Sequence, residues 1–459
     1  MQHVSLFGSK VRPNARRKFV QRNFVRPIQH FMRTEVAGGV VIVVAALVAL
    51  AWANSPWQEF YFDIWSTTVS VELGVVSIDD TLGHLVSDGL MVVFFFVVGL
   101  EIKREMVHGE LATARRAALP AMAAIGGMAV PAAFYLAFNS LSGEAARGWG
   151  VPVATDIAFA LGVLALLGSR VPFSLKIFLL ALAIADDLGG IIVIAVFYTE
   201  SISFAALGWS GLVIAAILLV RSYDVRSYGI YLALGALLWL FVYESGIHAT
   251  IAGVVLALLT PAISLYSRQH FESQAERLLH RYRRAEQRGH GDDVEATLRQ
   301  IEFLSRETES PVDRLMHMLH PWVSYVIVPL FALANAGVVI TGDSVGEASG
   351  SAVTAGIIFG LVLGKPLGIF VFTWIAVRSG IASLPQGVTW GQVIGVGLLG
   401  GVGFTVALFI TDLAFTSDEV VSEAKMGILA ASVLAGTIGF LYLRFTGKEI
   451  DEAEGSHDA

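Results

Sequence analysis

The stretch "LALAIADDLGG", residues 180–190, sets two adjacent carboxylic acids, Asp186 and Asp187, inside a run otherwise as apolar as lipid. A charge at the bilayer centre costs about 2.5–3.5 kcal/mol on insertion scales, so acids at that depth mark an ion path or a paired partner. The surrounding composition makes a membrane the right frame. With 55% hydrophobic residues, 15% charged residues and a mean hydropathy of +0.68 over 459 residues, the chain holds more apolar side chains than one soluble core needs. It reads as an all-α polytopic membrane protein. The absence of cysteine excludes disulfides, zinc-thiolate and iron–sulfur chemistry.

Apolar runs long enough to cross a bilayer number about twelve, near 36–53, 84–100, 117–138, 150–167, 173–198, 204–220, 228–243, 246–262, 321–340, 353–377, 391–413 and 424–443. With both termini cytoplasmic, inner segments carry 28 of the 31 Lys and Arg, outer loops hold Arg147 and Lys425, and Lys365 lies within a span. That alternation follows the positive-inside rule, and one span too many or too few would scramble it. Residues 1–35, with eight Lys and Arg and no apolar stretch before Val36, read as a basic cytoplasmic arm without a cleavable leader. The arm either touches anionic headgroups or is a disordered topology signal. Residues 36–445 form the transmembrane domain and 446–459 an acidic cytoplasmic tail.

Two connections stand out. "STTVSVELGVVSID" (66–79) alternates apolar and polar residues about Leu73 and Gly74, so the outer segment near 60–80 reads as a small extracytoplasmic β-hairpin or an ordered loop. The inner segment near 263–314, with "ESQAERLLHRYRRAEQ" broken by "GHGDD", sets nine Arg against ten Asp and Glu, so it is not a polybasic lipid clamp. A solvated helical pair fits it better than a separate enzymatic domain.

The ionisable groups at membrane depth are few: Asp156 beside Thr155 in "VPVATDIAFALG", Asp186 and Asp187, Lys365 in "LVLGKPLG", and His248 in "SGIHATIAG". Neighbours on a helix point about 100° apart, so the two adjacent acids need different partners. One can face a water-filled cavity and hold a cation; the other can reach a base such as Lys365. A buried ion-paired cluster serving rigidity alone is the competing reading, but such pairs are weak sources of stability. Three acids against one lysine leave surplus negative charge for a cation or protons.

The spans carrying these groups look interrupted. "GQVIGVGLLGGVGFTVALFI" (391–410) gathers Gly400, Gly401 and Gly403 at mid-span, each glycine costing a helix about 1 kcal/mol relative to alanine. Close helix packing is the other use of membrane glycines, and it suits the outer ones. Span four holds Pro152, Thr155 and Asp156 near its middle. Two broken helices in corresponding positions point to a transporter binding site, with spans three to five and ten to twelve as inverted repeats. Asp156 can offset the positive partial charge of half-helix N-termini, and Lys365 suits the opposing C-terminal ends.

At this point "VPVATDIAFALGVLALLGSRVP", "ALAIADDLGGIIVIA", "SGIHATIAGVV", "LHPWVSYVIVPLFALANAG" and "GKPLGI" resemble the NhaA-type sodium/proton antiporters, over about residues 33–445. The resemblance implies inverted repeats with two crossing broken helices. It implies Asp186 and Asp187 as the ion-binding, proton-carrying pair, with Na⁺ at Asp187 and Asp186. Asp156 and Thr155 would lie in the crossing helices, and Lys365 would be the charge partner of Asp186. "VVGLEIKREM" resembles the family's cytoplasmic pH-responsive region, which makes Glu101, Lys103, Arg104 and Glu105 regulatory candidates, with His248 and His317 as further ones. For His248 a neutral packed residue is the plainer alternative. Where an acid commonly precedes His317, this chain has Met316, and Glu244 and Asp412 add acids at outer span ends.

The implied activity is secondary active export of Na⁺ and Li⁺ against H⁺, electrogenic and pH-regulated, by alternating access in a bacterial inner membrane. The implied assembly is a homodimer through residues 61–80. Two acids close together in a desolvated site release protons in coupled steps, so ion and proton exclude one another from the same carboxylates. No cofactor and no nucleic-acid partner are expected, and no phosphate-binding loop or metal-hydrolase spacing points to an enzyme. A Na⁺-coupled symporter of an organic solute is the alternative transporter.

Overall fold

The computed structural model describes residues 26–73, 76–199, 202–223, 228–264, 266 and 268–446. Residues 1–25 of the expected basic arm, positions 74 and 75 of the expected hairpin, and the tail from 447 onward lie outside the described residues. Lipid offers no partner for backbone polar groups, so apolar segments close their own hydrogen bonds as helices. They are α1 (Arg26–Ala53), α2 (Gln58–Ser66), α3 (Leu82–His108), α4 (Ala114–Phe138), α5 (Ile157–Leu166), α6 (Phe173–Phe197), α7 (Phe204–Ser222), α8 (Tyr228–Glu244) and α9 (Thr250–Leu259). After them come α10 (Arg268–Arg288), α11 (Gly291–Thr308), α12 (Pro311–Asn335), α13 (Gly342–Gly350), α14 (Ala352–Arg378), α15 (Trp390–Gly400), α16 (Phe404–Ala414) and α17 (Asp418–Thr446).

Among the described residues, eight helical stretches are long and apolar enough to cross a membrane. Two bent pairs and two shorter apolar helices complete the twelve apolar segments. Several run beyond their hydropathy windows. The third, α3, continues through the charged "EIKRE" run to His108. The start of α12 at Pro311 lies ten residues ahead of the apolar window, because Ser310 caps it and Pro311 occupies the first helical positions. The first, α1, begins at Arg26, so its initial turns use residues of the expected basic arm.

A hairpin is present: β1 (Thr68–Leu73) and β2 (Val76–Thr81) pair antiparallel, from Thr68↔Thr81 to Leu73↔Val76. Just before it, α2 is bent 115° from the preceding span. It is held there by Tyr61, whose hydroxyl donates to the Leu333 carbonyl at 2.7 Å while its ring meets Trp52 edge-on.

What positions the interior is the contact between α4 and α14. Gly360, Gly364 and Gly368 recur every fourth residue on α14, which presents one smooth stripe to its neighbour. A Cβ at Gly364 would lie 2.9 Å from the Pro131 Cα, and one at Gly368 only 2.0 Å from the Gly126 carbonyl oxygen. The helix widens into a π-turn over Gly360–Gly364, just ahead of Lys365 and Pro366. Proline has no amide to give the preceding turn, and the wider turn absorbs the mismatch.

Gly368→Ala is expected to lower unfolding stability in detergent by about 1–3 kcal/mol, as overpacking does. Gly162→Ala, whose added Cβ meets nothing within 4 Å, leaves it unchanged or raised. Thermal or dodecyl-sulfate unfolding of the two variants checks the contrast.

Candidate functional site

Spans four and eleven are both broken, and the breaks face each other. In span four a 3₁₀ turn over Gly148–Val153 gives way to extended backbone at Ala154 and Asp156 before α5 begins. In span eleven α15 ends at Gly400 and α16 starts at Phe404, with a bend of 47°. An interruption at this depth strands amides and carbonyls, and each break supplies partners for the other. The Asp156 amide donates to the Val402 carbonyl at 2.7 Å, and Thr155 Oγ1 donates to the Gly400 carbonyl at 2.8 Å.

The Asp156 carboxylate serves both half-helix N-termini. Its Oδ1 accepts from the Phe159 amide at 3.0 Å, capping α5. Its Oδ2 accepts from the Thr405 amide at 3.1 Å and from Thr405 Oγ1 at 2.6 Å, at the start of α16. Negative charge at helix N-termini is favourable, and one acid here answers two of them. Lys365 does the converse: its Nζ donates to the Val153 carbonyl, the last of the 3₁₀ turn, and to Asp186 Oδ2, each at 2.5 Å. A cation at the carbonyl end of a helical turn is likewise favourable.

Helix α6 carries Asp186 and Asp187 through its middle, and their surroundings differ as the 100° step between them requires. Asp186 is 2% exposed and Lys365 1%, so their ion pair is fully buried. Asp186 Oδ1 is buried with no hydrogen-bond partner. Asp187 is also buried, and among the described residues it has no hydrogen bond or ion pair. It lies within electrostatic reach of Asp186, Glu101, Asp156 and Lys365. The structure therefore brings Thr155, Asp156, Asp186, Asp187 and Lys365 to one place, with Oδ1 of Asp186 and the whole carboxylate of Asp187 unengaged. Thr405 belongs to this site and was missed from sequence. Its signal was a hydroxyl two residues after the glycine cluster, in a span otherwise apolar there.

The regulatory candidates lie elsewhere, apart from Glu101. Glu101, Lys103, Arg104 and Glu105 occupy the last turns of α3 and are half-buried. Arg104 Nε lies 3.4 Å from Asp313 Oδ1 of α12, and Glu105 Oε2 accepts from the Glu110 amide at 2.9 Å. His317 Nδ1 pairs with Glu309 Oε1 at 2.8 Å on an exposed surface. His248 Nε2 donates to the Tyr198 carbonyl at 2.7 Å. The Tyr198 hydroxyl in turn accepts from the Gly150 amide at 3.2 Å and donates to the Arg147 carbonyl at 2.6 Å. His248 thus buttresses the 3₁₀ turn of span four at one remove from the acids.

Residues 29–443 match the Na⁺/H⁺ antiporter 1 family. The Na(+)/H(+) antiporter NhaA 2 of Sorangium cellulosum is 44% identical over 441 residues, 94% of each chain. The Na(+)/H(+) antiporter NhaA of Oleidesulfovibrio alaskensis is 44% identical over 99% of this chain and 100% of its own. The protein of the same name from Escherichia coli O1:K1 is 44% identical over 92% and 98%.

Removing one partner of a buried ion pair leaves an uncompensated charge, at a cost of about 3–5 kcal/mol, so Lys365→Met is expected to destabilise the folded protein by that order. Adding Asp186→Asn to Lys365→Met is expected to restore most of the loss. Unfolding midpoints of the single and double variants in detergent measure it, and a single variant as stable as the parent contradicts it.

Proposed function

The chain belongs to the Na⁺/H⁺ antiporter family, and from that premise we propose that Na⁺ and protons compete for its buried acids Asp186 and Asp187. It is a multi-pass membrane protein that exchanges Na⁺ for H⁺. The observation that carries the proposal is the pair of unengaged groups, Asp186 Oδ1 and the whole Asp187 carboxylate, where two broken helices cross.

Deprotonated, these groups give hard oxygen ligands to a small dehydrated cation. Thr155 Oγ1 keeps free lone pairs, since its hydrogen bond to Gly400 uses only its proton. Na⁺ at Asp186 opposes the neighbouring charge of Lys365, which then gives up its proton or shifts away from the carboxylate. Protons on the acids remove the hold on Na⁺. In either loaded state the carboxylates are covered and the site can reorient, whereas the empty site, with both carboxylates bare, is penalised by desolvation. Exchange follows from that exclusion.

Further parts of the proposal are the use of Li⁺ as well as Na⁺, and entry of two protons per ion expelled. One net charge then moves inward each cycle, which couples export to voltage at about 2.3 kcal/mol per 100 mV. The protein is a transporter and not an enzyme, placed in a bacterial inner membrane with both termini cytoplasmic. Its divisions are the arm 1–35, the transport domain 36–445 and the tail 446–459. The final turns of α3, with His317 of α12 and Glu309 just ahead of that helix, form the cytoplasmic region that sets the pH response. A two-stranded hairpin is marginal by itself, so residues 61–80 meet a second copy of the chain.

In sealed liposomes with an acid interior, added Na⁺ or Li⁺ is expected to alkalinise the lumen, K⁺ is not, and Asp187→Asn abolishes the response. The apparent KM for Na⁺ is expected to fall as pH rises, by up to about tenfold per unit for each competing proton. A KM flat across pH rules out shared carboxylates.

A further inference from the structure

The helical hairpin of α10 and α11, between spans eight and nine, separates its charges by face. The two helices pack through Phe271, Ala275, Leu278, Tyr282 and Ala285 on one side and Val294, Thr297, Ile301 and Leu304 on the other, positions that are buried or half-buried. Arg277, Arg281, Arg284 and Arg288 follow at steps of four, three and four residues, so they form one exposed stripe along α10. Arg281 Nη1 donates to Gln300 Oε1 across the pair, which places Gln300 and its helical neighbours Ala296 and Phe303 on the same side. Arg277 Nε and Arg284 Nε donate to the Ser273 and His280 carbonyls of their own helix. Among the described residues none of the four arginines has a carboxylate in ion-pair distance. The helical period puts Glu272, Glu276 and Glu286 of α10, and Glu295 and Glu302 of α11, on the opposite side, with Arg283 and with Arg299 paired to Glu295. Asp292 and Asp293 fall at the turn end of the arginine side, Asp293 lying 3.4 Å from His290, and Glu307 falls at its other end, buried and 3.8 Å from Arg314. The near balance of nine Arg and ten acids in this segment therefore conceals a basic face.

Both ends of the hairpin are tethered to the bilayer by short links, from Leu259 of α9 to Arg268 and from Thr308 to Pro311 of α12. The Tyr266 amide donates to the Glu307 carbonyl at 3.4 Å, drawing the two links together. The lipid surface is thus always within reach, and on the cytoplasmic side it carries negative charge. Guanidinium groups match phosphate geometry. We propose that the Arg277, Arg281, Arg284 and Arg288 face of this hairpin docks on anionic phospholipid headgroups of the membrane the protein spans. The proposal rests on the cytoplasmic orientation inferred above.

The chain has no cysteine, so single probes are clean. The full protein carrying Ala296→Cys, or Leu298→Cys on the opposite face, is labelled with an environment-sensitive fluorophore. Each is reconstituted into vesicles of phosphatidylcholine alone or with phosphatidylglycerol. Docking predicts a blue shift and quenching by headgroup-linked quenchers for the label at 296 and not at 298, in anionic vesicles only. The shift should vanish in about 1 M NaCl, where the screening length is only about 3 Å. It should also vanish on combining Arg277→Gln, Arg281→Gln, Arg284→Gln and Arg288→Gln, and persist with Glu272→Gln plus Glu276→Gln. Equal signals in neutral and anionic vesicles overturn the proposal. So does a shift produced in neutral vesicles by inorganic phosphate or by a soluble acidic peptide. Na⁺-driven alkalinisation in the same vesicles reports exchange separately: its loss with docking intact defeats the antiport reading alone. Reaction of the cysteines with impermeant reagent checks which side the hairpin occupies.

Discussion

An interrupted helix at membrane depth exposes amides and carbonyls that lipid cannot solvate, at a cost of several kcal/mol for each group left unpaired. The interior of this protein is arranged around that constraint. Spans four and eleven break where they meet, and Asp156 and Lys365 close the break: one carboxylate takes the amides of two helix starts, one ammonium takes the carbonyl at the end of a third segment. Backbone contacts between Asp156 and Val402 and the Thr155 bond to Gly400 complete it. Without the crossing, neither break would be tolerable.

That arrangement sets the charge balance of the site. Asp156 is engaged by amide and hydroxyl donors from α5 and α16, and Lys365 is engaged by Asp186 and Val153. The remaining oxygen of Asp186 and the carboxylate of Asp187 are left over, in a region from which solvent is nearly excluded. Surplus carboxylate in low dielectric invites a proton or a cation, each of which neutralises it. A charge arriving there is felt by Asp156 and Lys365, whose hydrogen bonds reach three helical segments. The chemistry and the scaffold are therefore one network.

Close packing makes the network possible. Lys365 stands directly after a π-turn, on a helix whose glycines lie against Pro131 and Gly126 of α4 with almost no spare distance. Larger side chains on that stripe would push α14 outward and carry the ammonium away from Val153 and Asp186. Gly401 plays the same part in span eleven, where a Cβ would come within 2.3 Å of the Leu361 carbonyl oxygen. The glycines that cost helix propensity are those that let backbones approach.

Between Thr68 and Thr81 the amino-acid sequence left a hairpin and an ordered loop open, but by itself it determined the membrane class, the twelve apolar segments and the residues that lie at membrane depth. Each of these follows from local composition and period. It showed that Asp186 and Asp187 must look in different directions, because adjacent helical positions do. Only the tertiary structure decided that Asp186 takes the lysine, that Thr405 from a distant span shares Asp156, and that the Val153 carbonyl holds Lys365. Those pairings join residues 179 to 249 positions apart. No local period encodes a partner so remote; packing of α4, α6 and α14 about the crossing selects it. The arginine stripe of α10 shows the same limit in reverse, since composition reported balance and folding at a helical period separated the signs.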